Sequence, residues 1–253
     1  MKRKKLIVVV AITVICSIFI HHTDFSDGFL STTVSDAEAS DTTTSKTDTN
    51  LDTRNQKDAA PVSQQEFGYV DGQYILKIPS SIGIITYYNQ HDIRWADSIF
   101  GGSDTISHYG CGPTVLSMLV TSFTNQNITP DNMAKWACAN DYWCEGSGSK
   151  HSLIPEGAAY YGLGVESCPD YTVEQIIDDL QREAIFVALV GPGQFTDSGH
   201  FIILANYWAG TTVNVVDPNN IDNCRIPFEL QPILDELYPS NNSGGPLWKI
   251  YIK

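Results

Sequence analysis

The sequence predicts an α+β domain in which helices come first and pack on one side of an antiparallel sheet that follows. Three observations carry this. Between Pro113 and Glu183, apolar residues recur at helical spacing in three segments. After them come four short runs, "AIFVALV", "HFIILANYW", "TTVNVVD" and "LWKIYIK", with the length and β-branched content of strands. The 253 residues are 42% hydrophobic, enough for one sizeable core.

The chain starts with four positive charges within Met1 to Lys5, then 15 nearly unbroken apolar residues, Leu6 to Ile20. Basic residues ahead of such a run are an export signal, and the run is short beside the roughly 20 residues of a spanning helix. Residues 1–20 therefore read as a signal peptide or membrane anchor that contacts the membrane. The rest is placed on the extracellular side of the cell membrane, or secreted. Taking four positive charges from a formal net of −14 leaves −18, which argues against adhesion to nucleic acid. Residues 21–65 are rich in Ser, Thr and Asp and offer too little apolar surface to offset their ordering entropy, so they read as a disordered polar linker. The folded domain is expected over 66–253, as a monomer.

Its first elements are a hairpin, "YVDGQYILKI", with Asp71-Gly72 as the turn, and a strand in "IGIIT". The first helix is read from Pro113, a residue suited to a first helical turn, with Val115, Met118, Leu119 and Ser122 on one stripe. "TPDNMAKWACAND" repeats the pattern of Thr cap, early Pro and early acid. Thr172 to Glu183 is the third helix, its stripe being Val173, Ile176, Ile177 and Leu180. The four strand-like runs complete the sheet.

The chemistry centres on "SHYGCGPTVLSML". A cysteine at a helix N-terminus meets unpaired backbone N–H groups and the positive end of the helix dipole, which favour thiolate. Flanking glycines would let a substrate backbone approach Cys111. If the turn between "HFIILANYW" and "TTVNVVD" is centred on Trp208 and Ala209, His200 and Asp217 face each other across the hairpin. The carboxylate then fixes the imidazole tautomer and leaves the other nitrogen to move a proton. An oxyanion donor is also needed; Gln90 in "YYNQHDIRW" is the candidate and Asn89 its rival, while His91 and His108 read as peripheral. Of the five cysteines beyond the apolar run, Cys111 is taken as the unpaired one. Cys138, Cys144, Cys168 and Cys224 allow three disulfide connectivities and lack the close pairs of a zinc site.

With Gln90, Cys111, His200 and Asp217 in that order, the chain resembles the papain-like cysteine peptidases, and most closely the C39-like family. "YYNQHDIRW", "YGCGPTVLSML" and "GHFIIL…VVDP" carry the resemblance, over about Ile85 to Asn219. It implies a papain-like fold, hydrolysis of peptide bonds without a cofactor, and four roles. Gln90 helps form the oxyanion hole, Cys111 attacks, His200 is the base and Asp217 orients it. Two alternatives stand beside this: an amidase or endopeptidase of cell-wall peptides, and a catalytically idle cell-surface binding module.

Overall fold

The computed structural model describes residues 66–70, 73–239 and 242–253. All of them belong to the compact unit Asp58–Lys253. The readings for residues 1–65 and for the Asp71-Gly72 turn lie outside the described residues. Among the described residues no helix is long and apolar enough to cross a membrane.

In chain order the elements are β1 (Glu66–Val70), β2 (Gln73–Ser80), β3 (Gly83–Tyr87), β4 (Ile99–Gly101), β5 (Asp104–Thr105), α1 (Ile106–Tyr109), α2 (Cys111–Phe123) and α3 (Pro130–Ala139). They continue with β6 (Trp143–Cys144), β7 (Gly148–Ser149), α4 (Leu153–Tyr160), β8 (Gly164–Ser167), α5 (Val173–Leu180) and β9 (Ile185–Val190). The last are β10 (His200–Ala209), β11 (Thr212–Val216), β12 (Pro227–Glu229), α6 (Leu230–Asp235) and β13 (Leu247–Tyr251).

The class is α+β, and the N-terminal helices pack on an antiparallel sheet. That sheet has six strands in the order β12-β11-β10-β9-β13-β8, every neighbouring pair antiparallel. One of its faces, with Val187, Leu189, Phe201 and Ile203, joins the core built around α2. The other face is covered as well: Phe186, Ala188, Ile202 and Leu204 pack with Ile176 and Leu180 of α5 and Leu230 and Ile233 of α6. Cover is thus two-sided and not one-sided as expected, and "IFVALV", buried at all six positions, is the reason. A strand with no polar face cannot be left open on either side.

Each helix follows from local chemistry. Helix α2 is buried at every position from Gly112 to Val120, so it runs through the core and is more than a single apolar stripe. Ser122, expected on that stripe, instead accepts a hydrogen bond from the Thr86 N–H at 2.8 Å, fastening α2 to β3. Helix α5 starts at a full capping box of Thr172 and Gln175. It stops at Leu180, short of Glu183, whose φ is 108°. Helices α4 and α6, both unanticipated, carry Pro155 and Pro232 in their first turns, where the missing N–H has no helical partner to lose.

The β1–β2–β3 sheet is attached to the large one where the Ser81 N–H donates to the Ala205 carbonyl at 2.8 Å.

Candidate active site

Cys111 is the first residue of α2, with Gly110 as its N-cap. The glycines on either side, expected to let a substrate approach, also serve the protein's own packing. A Cβ on Gly110 would lie 2.5 Å from the Ile106 side chain and carbonyl, and one on Gly112 would lie 2.3 Å from Ser149 Oγ. Only residues lacking a Cβ let α1 and the β7 segment close around the cysteine.

His200 opens β10, and its Nε2 lies 2.8 Å from Asp217 Oδ1; both residues are buried. The pair meets, but not by the register expected. The hairpin tip is Gly210-Thr211, with Gly210 at φ +59°, two residues beyond the anticipated centre. Two irregularities, between Leu204 and Asn206 and between Tyr207 and Ala209, then shift the pairing until Ile203 faces Val216. Continuing that register puts His200 opposite Asn219 and diagonal to Asp217. A diagonal neighbour is still within reach of a long side chain. Two bulges, unlike one, leave the strand on its original face.

Asp217 is held from all sides. Its Oδ1 also accepts from the backbone N–H of Asn219 at 2.8 Å and of Asn220 at 3.3 Å, and its Oδ2 accepts from Asn223 Nδ2 at 2.7 Å. The Tyr87 hydroxyl donates to the Asp217 carbonyl at 2.9 Å, and the Asp217 N–H donates to Cys224 Sγ at 3.3 Å. Burial alone would raise this carboxyl's pKa. The His200 contact and the Asn223 and Asn219 donors outweigh it and keep the group ionised.

With Nε2 occupied, His200 has Nδ1 left for Cys111, the side chain with which its charge is coupled. Burial works against charge on both groups. The mutual attraction wins, holding the Cys111 pKa below the ordinary thiol value and the His200 pKa above the ordinary imidazole value. The Phe201 and Gly112 N–H groups add donors to the sulfur. This arrangement supports a thiolate–imidazolium pair. Cys224, by contrast, has its thiol pushed up to about 12 by burial, and burial raises that of Cys168.

Gln90 is buried, and its Nε2 donates to the Ser107 carbonyl at 2.8 Å, in the turn of chain just ahead of Cys111. The second N–H of that nitrogen remains, while Oε1 has no partner among the described residues. The Gln90 backbone N–H donates to the Pro218 carbonyl at 2.8 Å, so the Gln90 and Asp217 loops are joined. Asn89, the rival, is a turn residue: its Nδ2 donates to the Tyr87 hydroxyl at 2.9 Å and its Oδ1 accepts from the His91 N–H at 2.8 Å. His91 is exposed against Asn219 Oδ1 at 2.6 Å.

Cys111 opens into a cavity of about 630 Å³, bounded on one side by the segment from Cys144 to Ser152 and on another by Ser198, Gly199 and Tyr238. His108, read as peripheral, is part of its wall. Sequence reasoning missed this cavity and the Asn223 and Cys224 contacts to Asp217. An Asx-rich turn, "DPNNIDN", was the available signal for the latter. No disulfide joins the described cysteines, so none of the three connectivities occurs among them. Among the described residues no three His, Cys, Asp or Glu side chains gather as a metal site.

Residues 83–229 match the model of the Peptidase_C39 like family, and the chain belongs to that family. Solved structures similar to it include a putative C39-like peptidase from Bacillus anthracis, at 13% identity over 70% of this chain and 98% of that one, TM-score 0.44. The peptidase domain of Streptococcus ComA, a bi-functional ABC transporter, is similar at 15% identity over 57% and 93%, TM-score 0.42. A double glycine motif protease from an AMS/PCAT transporter, solved with its leader peptide, is similar at 12% identity over 72% and 100%, TM-score 0.42. No curated protein sequence matches the chain.

Proposed function

We propose that this member of the Peptidase_C39 like family is an exported cysteine peptidase that hydrolyses peptide bonds with Cys111, His200, Asp217 and Gln90. The observation that carries the reading is the buried 2.8 Å contact of His200 Nε2 with Asp217, which leaves Nδ1 to a thiol at a helix N-terminus. Cys111 Sγ attacks the peptide carbonyl, and the oxygen takes up negative charge opposite the second Gln90 Nε2–H and the backbone N–H of Cys111. His200 gives its Nδ1 proton to the leaving amine as the C–N bond breaks, leaving a thioester. Water then loses a proton to His200, attacks the thioester, and releases the acid and the thiolate. Asp217 keeps the ring oriented and supports its charge throughout. No cofactor takes part. The basic and apolar start of the chain directs the domain outside the cell, where it works as a monomer on peptides or proteins.

The test is reaction of the full chain with a thiol-directed activity probe near neutral pH. Cys111 is expected to label far faster than Cys138, Cys144, Cys168 or Cys224, and labelling is expected to vanish in Cys111→Ala. Equal labelling of all five would refute the enzymatic reading.

A further inference from the structure

The cavity beside Cys111 holds polar atoms that the four proposed residues do not use. Ser149 ends β7 and His151 follows two residues later, just ahead of α4, and both line the cavity that Cys111 opens into. Ser149 Oγ and His151 Nδ1 are buried, and neither has a hydrogen-bond partner among the described residues. Buried polar atoms are normally paired, because leaving one unpaired forfeits its hydration without return. Both atoms lie on a three-residue stretch that lines the cavity of a nucleophile, so a small rotation of either side chain would present an unpaired polar group to a bound ligand. Their places are set by packing. Ser149 Oγ rests against Gly112, the residue after the nucleophile, where an added Cβ would be 2.3 Å away. The His151 ring stands edge-on to Tyr238, centroids 5.5 Å apart at 83°, and Tyr238 is also part of the cavity wall. Burial lowers the His151 pKa, so the ring is neutral at pH 7 and one nitrogen is an acceptor.

Resting on the peptidase reading, we propose that Ser149 and His151 recognise the main chain of the substrate peptide. One backbone N–H of the peptide donates to His151 Nδ1, and one of its carbonyl oxygens accepts from Ser149 Oγ. The substrate class that follows is a peptide with an unsubstituted amide at the position facing His151. Both residues act in binding, while Cys111 and His200 carry the bond changes.

The experiment uses the full chain, a peptide that it cleaves, and the variants His151→Leu, His151→Asn and Ser149→Ala. Alkylation of Cys111 by iodoacetamide, which needs no recognition, is expected to proceed at the same rate in all four proteins. His151→Leu and Ser149→Ala should each lower kcat/KM about tenfold, mainly through KM, as the loss of one uncharged hydrogen bond does. His151→Asn, which offers an acceptor near the Nδ1 position, should recover most of it. In a scan of N-methylated peptides, one position should cost the natural protein about tenfold and His151→Leu nothing further. Cleavage by both variants at the natural rate, or an equal N-methyl penalty with and without His151, would overturn the recognition role and leave the peptidase reading standing. So would alkylation slowed as much as cleavage, which would make these residues supports of Cys111. Absence of cleavage of any peptide by the natural protein would overturn both.

Discussion

Replacing Asp217 by Asn keeps the shape of the side chain and removes its charge, so its effect can be worked out from the contacts around it. The Oδ1 position receives three donors, His200 Nε2 and the N–H groups of Asn219 and Asn220, whereas Oδ2 receives only Asn223 Nδ2. The amide oxygen of the variant therefore takes the Oδ1 place, and its NH₂ faces Asn223, whose own amide can turn over to present oxygen. Folding and the His200 tautomer both survive. What disappears is the charge that supports the imidazolium. A hydrogen bond to a charged group contributes about 1.5–3 kcal/mol and an uncharged one about 0.5–1.5, so roughly 1–1.5 kcal/mol is lost. That is a fall in kcat/KM of about five- to thirteenfold, with the thiolate-forming limb of the pH profile moved upward. The assay is cleavage of a fluorogenic peptide, with thermal unfolding as the check on folding. Asp222→Asn is the control, since Asp222 is exposed and its ion pair among the described residues is with Arg225, at 2.7 Å. A loss beyond about 10⁴-fold with unchanged unfolding would mean that the amide nitrogen faces His200 and reverses the tautomer, as in a serine-protease triad. Full activity would mean that another group supports the ring. Either result refutes the reasoning.

Two further outcomes are expected. The pH profile of kcat/KM should be a broad bell, because the Cys111 thiolate survives below the ordinary thiol value of 9.0 and the His200 imidazolium survives above its ordinary 6.5, to about 10. Activity is thus lost on the acid side as the thiolate takes a proton and on the basic side as the imidazolium gives one up; a profile that only begins to rise near pH 9 would contradict the ion pair. Gly112→Ala would place a Cβ 2.3 Å from Ser149 Oγ and 3.2 Å from Leu153 Cδ2, forcing the β7–α4 segment outward. The expected cost is about 1–3 kcal/mol, read as a lower melting temperature together with lower activity.

Periodicity and turn chemistry are local, and what depends on them was legible in the sequence: the α+β class, the helices around Pro113, Pro130 and Val173, the main strands, and a cysteine at a helix start. The chain order of Gln90, Cys111, His200 and Asp217 was legible too. The sequence pairs His200 with Asp217 through a hairpin centred two residues too early. Its true register depends on a Gly210-Thr211 tip and two bulges. Register is readable when one face of a strand is polar, because a slip then exposes apolar groups. In β10 the first six residues, His200 to Ala205, are all buried, so no alternation marks which residue faces which. The same two-sided burial decided that α5 and α6 cover the second face of the sheet. The uses of Gly110 and Gly112, the donors around Asp217, and the cavity with Ser149 and His151 come from segments far apart in the chain. Only the folded chain sets these contacts, because each depends on where a distant backbone comes to rest.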